Sequence, residues 1–361
     1  MTAHDGARER AIPYVAQLDG LRAAAVVAVI GSHYDWTAPW FWWGGMGVEL
    51  FFVLSGFLIT RILLKARSSI EEGSQTVGLA AVRFYIRRFL RIFPVYYLTL
   101  AVVAVVGIAP FRETLWWHVT YLSNVYFALR GEWYGPISHL WSLAVEEQFY
   151  LIWPWVILLT PMRWMRRAIL LSVILGPASR AILMVAGAPT IAIETLVFTT
   201  FDLLGLGSLL AFESSDWSDE KQRRFMRLVW VGLIAAAALM FAPDWFPPAP
   251  DLLFGRLARG LVFGGLVLRA WQGFGGVRGA LLSWRPVAYI GKISYAIYLF
   301  HTFAAELTAK VFHYAFATTL PSGAKAQALI GITATVTAAA VSWRYFEGPL
   351  NQFKEKFHAA R

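Results

Sequence analysis

The chain has 361 residues, of which 58% are hydrophobic and only 15% charged, with a mean hydropathy of +0.55. A water-soluble domain carries about 25% charged residues, so composition excludes both a set of soluble domains and a disordered chain; lipid is the solvent these numbers demand. The absence of cysteine excludes disulfide scaffolds, thiolate metal sites and a cysteine nucleophile, and the meaning of the formal +10 charge depends on where the basic residues sit relative to the membrane.

Taken in chain order, residues 1–17, polar over 1–12, form a tail, and no cleavage site follows the first apolar run, so that run is an uncleaved span. Long apolar runs then predict about ten spans, at 18–34, 47–64, 92–109, 143–160, 168–186, 192–212, 228–242, 252–271, 287–309 and 326–346. Each is near the ~20 residues that cross the hydrocarbon. All must be helices, because backbone groups cannot stay unpaired in lipid. The expected fold class is therefore an all-α integral membrane protein, with one transmembrane domain over 18–346 between tails at 1–17 and 347–361.

The basic residues give this map an orientation. Twenty-two of the 32 lie in the two tails and in the connections 61–91, 161–167, 213–227 and 269–286. The alternate connections hold only Arg112, Arg130, Lys310 and Lys325. The bias places both termini in the cytoplasm. The connection 110–142 is apolar and aromatic from Thr114 to Leu129 but interrupted by His118, Ser123 and Asn124. It predicts a re-entrant or interfacial outer helix, since an eleventh span would invert every later connection.

Ionisable residues inside spans cost a few kcal/mol each, so their positions are informative. They are Asp19, Arg22 and His33; Glu49; Glu146 and Glu147; Arg180; Glu194 and Asp202; Arg256 and Arg259; Lys292, His301 and Glu306. Each also fits one half of a structural ion pair. Arg22 and His33 are eleven residues apart, three helical turns, so they share a face with His33 about 16 Å further outward. The residues between them are mostly small, which leaves room for a slender ligand and also favours helix packing. Glu146, Glu147 and His301 fall at a depth similar to His33, so two histidines and two carboxylates meet there if their helices are neighbours. A carboxylate beside a histidine is what a general base needs. Arg83, Arg87, Arg88 and Arg91 precede the third span, with Arg88 and Arg91 on one face. They fit ordinary cytoplasmic anchoring, or a phosphate clamp.

Six segments in order carry a likeness. They are Leu18 to Arg22 followed by His33, Gly44 to Ile59, Arg88 to Pro94, His139 to Tyr150, Ile293 to His301, and Phe346 to Leu350, with Phe201-Asp202 in a glycine-rich sixth span. Over roughly residues 14–350 the chain resembles the membrane-bound acyltransferase-3 family, with a variant second segment at Glu49. The resemblance implies ten helices, acetyl-CoA or another acyl-CoA as donor from the cytoplasm, no metal, and a hydroxyl acceptor, commonly carbohydrate, at the outer side. It implies an essential His33 supported by Arg22, and a donor held by Arg88, Arg91 and Arg22, with Tyr295 and His301 in the fifth segment. Many relatives carry an added extracytoplasmic hydrolase-like domain, and the expectation here is a form without one.

The resulting expectation is a multi-pass enzyme of the bacterial inner membrane, an O-acetyltransferase acting on a carbohydrate or glycoconjugate. His33 acts as base or forms a transient acyl-histidine, and Glu146 or Glu147 orients an imidazole or the acceptor. Trp116, Trp117, Asn124, Trp133, His139 and Trp141 are the expected acceptor contacts, within a set of outer-loop residues that also includes Asp35, Trp36, Trp40, Trp42, Trp43, His118 and Tyr134. An interfacial aromatic belt has the same composition. The competing class is a secondary transporter of a phosphorylated or glycosylated metabolite; it calls for an inverted repeat, and the sequence has none.

Overall fold

The structure, a computed structural model, describes residues 14–34, 43–108, 111–214, 217–243, 245–316 and 324–352. The expected tails and Asp35, Trp36, Trp40 and Trp42 lie wholly or largely outside them. The described residues are helical throughout, with no strand. In chain order the helices are α1 (Ala16–His33), α2 (Trp43–Glu71), α3 (Val77–Val106), α4 (Phe111–Val119), α5 (Ser123–Arg130), α6 (Leu140–Leu159), α7 (Met162–Val185) and α8 (Thr190–Thr195). They continue as α9 (Phe201–Glu213), α10 (Asp219–Met240), α11 (Arg256–Gln272), α12 (Gly276–Ser283), α13 (Arg285–Lys292), α14 (Ser294–Phe316) and α15 (Ala324–Ser342).

Among the described residues four helices are long and apolar enough to cross a membrane by length and composition: α2, α3, α7 and the stretch Lys325–Gln352 that begins in α15. This is a membrane protein with an all-α fold. Two expected spans are broken. The run 192–212 divides into α8, a short 3-10 turn and α9, because Leu196 leaves the helix with ψ 143; at 13 residues α9 is about 20 Å long. The run 287–309 divides at Ile293 between α13 and α14. The Thr114–Leu129 stretch is two short helices rather than one. They part at Tyr121, a non-glycine residue at φ 53, and the Tyr96 and Tyr97 hydroxyls donate to the last carbonyls of α4, at His118 and Val119.

The 61–91 connection is also mostly helix, since α2 and α3 run on to meet at residues 72–76. Thr76 caps α3 by accepting from the Leu79 amide, and Gly107, in the left-handed region at φ 70, ends it. Of the arginines here, Arg67 serves the packing of the bundle. Its Nη1 donates to the carbonyls of Ile157, Leu158 and Thr160, the free C-terminal carbonyls of α6.

Packing between α2 and α9 is backbone against backbone. A methyl group added at Gly56 would run into the Leu204 carbonyl, and one at Gly207 into that of Val53, the small-residue contact that lets membrane helices approach closely. Around this seam two pairs of buried charges form. Glu49 receives Nε and Nη2 of Arg259 in a fork, both at 2.8 Å. Arg180, 1% exposed, donates to Asp202 at 2.6 Å and to the Thr199 and Leu253 carbonyls. Removing one member of such a pair leaves the other buried and uncompensated, at a cost of about 3–5 kcal/mol. Asp202→Ala is therefore expected to lower the thermal midpoint in detergent sharply, and a midpoint indistinguishable from wild type would contradict the role of this pair.

Candidate active site

Two connected cavities and a histidine cluster make up the site. The inner cleft, a narrow space of about 80 Å³, lies between α1, α2, α3, α6 and α14 and is lined by Arg22, Ser55, Arg88, Arg91, Glu146 and Tyr298 among others. The second cavity, about 360 Å³, lies between α1, α2, α3, α11 and α13, with Lys292, Trp271 and Trp343 in its wall. Arg22, Arg88 and Arg91 line both, so the two spaces meet at three guanidinium groups.

These arginines differ in how they are balanced. Arg22 pairs with Asp19 one turn away at 2.9 Å. Neither Arg88 nor Arg91 has a carboxylate within ion-pair distance among the described residues; Arg88 instead lies over the rings of Tyr150 and Phe84, 5.4 and 5.8 Å from their centres. Half-buried guanidiniums without counter-charge, facing a cavity, suit a ligand that brings its own negative charge. The spacing that puts both on one face was legible in the sequence.

At the far end of the cleft the wall is polar. The Ser55 hydroxyl donates to Glu146 at 2.7 Å, and Tyr150 donates to Ser55 at 3.2 Å. Ser142 and Tyr298 share a hydrogen bond of 2.6 Å, and Tyr298 also donates to the His139 carbonyl. Tyr295, in the cleft wall, donates to the Ile92 carbonyl. Ser55, Tyr150, Ser142 and Tyr298 are absent from the sequence-based expectation. The signal was present: 142, 146 and 150 are spaced four apart, and 295 and 298 three apart, each set on one helical face.

One turn beyond Tyr298 stand three imidazoles. The His301 ring lies 4.7 Å from that of His33 and 4.8 Å from that of His139. His301 is fully buried, with Nδ1 2.6 Å from the Tyr298 carbonyl and Nε2 without a partner. His33, the last residue of α1, is exposed rather than buried. Its helix end is tied down by the Tyr34 hydroxyl, which donates to the His301 carbonyl at 2.7 Å. His33 is thus open to a reactant arriving at the end of the bundle.

Several expected site residues lie elsewhere. Glu146 is two turns along α6 from His139, about 10 Å, so it meets Ser55 and the Arg88 side of the cleft and not His33; α6 begins at Leu140 behind a 3-10 turn, which carries both glutamates deeper than expected. Glu147 does not line the cleft. His301 sits in the histidine cluster, outside both cavities. Asn124 is buried with its amide committed to Gln148 and the Thr195 carbonyl, and His139 is buried with ring nitrogens against the Pro136 and Leu299 carbonyls; neither has a group left for an acceptor. Trp133 and Trp141 lie 6.3 Å apart, with Trp141 against Phe52. Trp116 is exposed on α4, and Trp117 packs on Tyr126. No cluster of three or more metal-ligating side chains occurs among the described residues.

Residues 15–344 match the family model described as an acyltransferase domain. The chain belongs to this acyltransferase family. It is 31% identical over 366 residues to the peptidoglycan O-acetyltransferase OatA of Listeria monocytogenes, a match covering 94% of this chain and 56% of that protein. It is 27% identical to the O-acetyltransferase OatA of Staphylococcus aureus, over 94% of this chain and 57% of the relative. The chain thus spans a little over half the length of these curated relatives. No solved structure gives a significant match.

Proposed function

We propose that this acyltransferase is an O-acetyltransferase of the cytoplasmic membrane, with about ten spans and both termini inside, taking acetyl-CoA at the arginine end. The acetyl group passes to a hydroxyl of a carbohydrate, such as the peptidoglycan glycan named for its relative, at the His33 end. The observation that carries the reading is the meeting of both cavities at Arg22, Arg88 and Arg91, two of them without a carboxylate partner among the described residues. Phosphates of CoA supply the missing charge there, and the pantetheine arm follows the cleft past Glu146 toward Tyr298.

A thioester is already activated, so the chain must supply a base, positioning and stabilisation of the oxyanion. In this reading His33 takes the acceptor hydroxyl proton as that oxygen attacks the thioester carbonyl. The tetrahedral intermediate collapses with loss of the CoA thiolate, to which the imidazolium returns the proton. The Ser142 and Tyr298 hydroxyls stand nearest the end of the cleft and are assigned to the oxyanion, each exchanging its present hydrogen bond, to the other hydroxyl or to the His139 carbonyl, for one to that oxygen. His301, packed against His33, positions it; Glu146 fixes Ser55 and Tyr150 along the pantetheine path. A buried carboxylate among spans also suits a transporter, but an open histidine beyond a cleft with uncompensated arginines favours transfer.

Purified protein in detergent, given acetyl-CoA and a glycan acceptor, is expected to release CoA and form an alkali-labile acetyl ester. Uptake of either compound into sealed vesicles without any CoA release would replace this reading with transport.

A further inference from the structure

A third cavity lies at the His33 end, on the other side of α2 from the donor cleft. Its volume is about 490 Å³, and it is walled by the start of α2, the ends of α7 and α10, α8, and the π turn leading into α11. Met46 lines it, and two residues earlier Gly44 packs on Ser32, the neighbour of His33. Only the first turn of α2 therefore separates this space from the exposed histidine.

The polar groups of its wall are unequally satisfied. Arg180 and Arg259 are saturated by Asp202, Glu49 and Asp251. Arg256 is not. It is 6% exposed, its Nη2 donates to the Glu194 carbonyl at 2.8 Å, its Nε lies 4.0 Å from Glu49, and its Nη1 is buried with no partner. An unsatisfied buried donor is costly, and this one belongs to a residue that faces a cavity large enough for a ligand. Beside it the Glu194 carboxylate, also in the wall, makes no hydrogen bond among the described residues. The remaining wall is apolar, with Phe246, Pro247 and Pro248, and Trp245 stands exposed next to Phe246 at 6.4 Å.

Charge decides what class of ligand fits. Three guanidiniums, Arg180, Arg256 and Arg259, face four carboxylates, Glu49, Glu194, Asp202 and Asp251, in and around this wall. The cluster is not positive overall, so a phosphate or sulfate has no net attraction to it. A hydroxyl both donates and accepts, and a row of hydroxyls answers a free N–H next to a free carboxylate. The ring C–H face of a sugar suits Phe246 and the prolines. At about 490 Å³ the space falls within the ~300–1,000 Å³ of ordinary small-molecule pockets, room enough for a sugar ring.

We propose that this cavity is a glycan subsite. Arg256 Nη1 donates to, and Glu194 accepts from, the hydroxyls of a neutral sugar whose apolar face rests on Phe246. The proposal rests on the carbohydrate acceptor proposed above and names where that acceptor docks: beside α2, with the sugar to be acetylated reaching around its first turn to His33.

The test uses the full chain in nanodiscs without acyl donor, with tri-N-acetylchitotriose as the neutral probe and inorganic phosphate as the anionic one. Dissociation constants are measured for wild type, Arg256→Gln, Glu194→Gln and Phe246→Ala, each checked for an unchanged gel-filtration profile. Glu194→Gln alters a side chain with no hydrogen bond to lose, so it decides the matter if Arg256→Gln misfolds. The expected result is saturable chitotriose binding, weakened at least tenfold by Arg256→Gln and Glu194→Gln and several-fold by Phe246→Ala. No binding to wild type, equal binding to all four proteins, or displacement of chitotriose by stoichiometric phosphate would each overturn the proposal. Acetyl transfer to the same glycan is assayed separately. Binding that depends on Arg256 without any transfer keeps the subsite and removes the glycan as acetyl acceptor, whereas transfer with binding indifferent to Arg256 does the reverse.

Discussion

Replacing His33 with alanine is expected to abolish acetyl transfer while leaving the fold intact. His33 is the last residue of α1 and is exposed, so truncation opens no cavity in the packed interior. Of the three clustered imidazoles it is the one open to a reactant. His139 has both ring nitrogens on backbone carbonyls, and His301 is wholly buried. A positioned general base contributes about 10²–10⁴-fold, and loss of a nucleophilic histidine costs at least as much. His301→Phe is the companion variant, keeping a ring in place but removing both nitrogens. It is expected to reduce kcat by a smaller factor, with acetyl-CoA affinity little changed. Purified His33→Ala that transfers acetyl groups at near the wild-type rate would falsify the assignment.

How much of this arrangement could be read beforehand depends on whether the information lies along one helix or between helices. The three-turn separation of Arg22 and His33 and the shared face of Arg88 and Arg91 follow from 3.6 residues per turn, and the structure keeps both. Pairing is a lateral matter. The sequence marked Glu49, Arg180, Asp202 and Arg259 as charges in need of partners, but not which partner each would find; Glu49 and Arg259 are 210 positions apart. Depth fails where helix starts are misjudged. Glu146 was expected level with His33, and the earlier start of α6 places it two turns away, against Ser55. Asn124 and His139 were expected to face an acceptor because polar groups stand out in an apolar stretch. Their hydrogen-bonding capacity is spent on Gln148, Thr195, Pro136 and Leu299, partners that only the packed structure brings near. The breaks at Leu196 and Ile293 were invisible because an apolar run carries no mark of where its backbone leaves the helix.

The double variant Arg88→Ala, Arg91→Ala is expected to weaken acetyl-CoA binding by about two to four orders of magnitude, since each lost charge-assisted contact costs about 1.5–3 kcal/mol. The two residues serve one ligand, so the effects are coupled and the total falls below a simple sum. The acceptor KM should move little, because both arginines lie at the opposite end of the cleft from His33. The same geometry gives the proposed function a sidedness that can be tested. Arg22 and His33 are about 16 Å apart along α1, and extended CoA, on the order of 20 Å, bridges that distance. In the proposed reading the donor enters at the arginine end, its thioester stops near Tyr298, and the acceptor does not have to cross the membrane. In sealed, oriented vesicles, acetyl-CoA supplied at the arginine side should acetylate a membrane-impermeant glycan supplied at the other side, and the double variant should need a hundredfold or more donor to do so. Product forming only when donor and glycan share a side would refute transfer across the bilayer. A rise confined to the glycan KM in the double variant would remove Arg88 and Arg91 from the donor site.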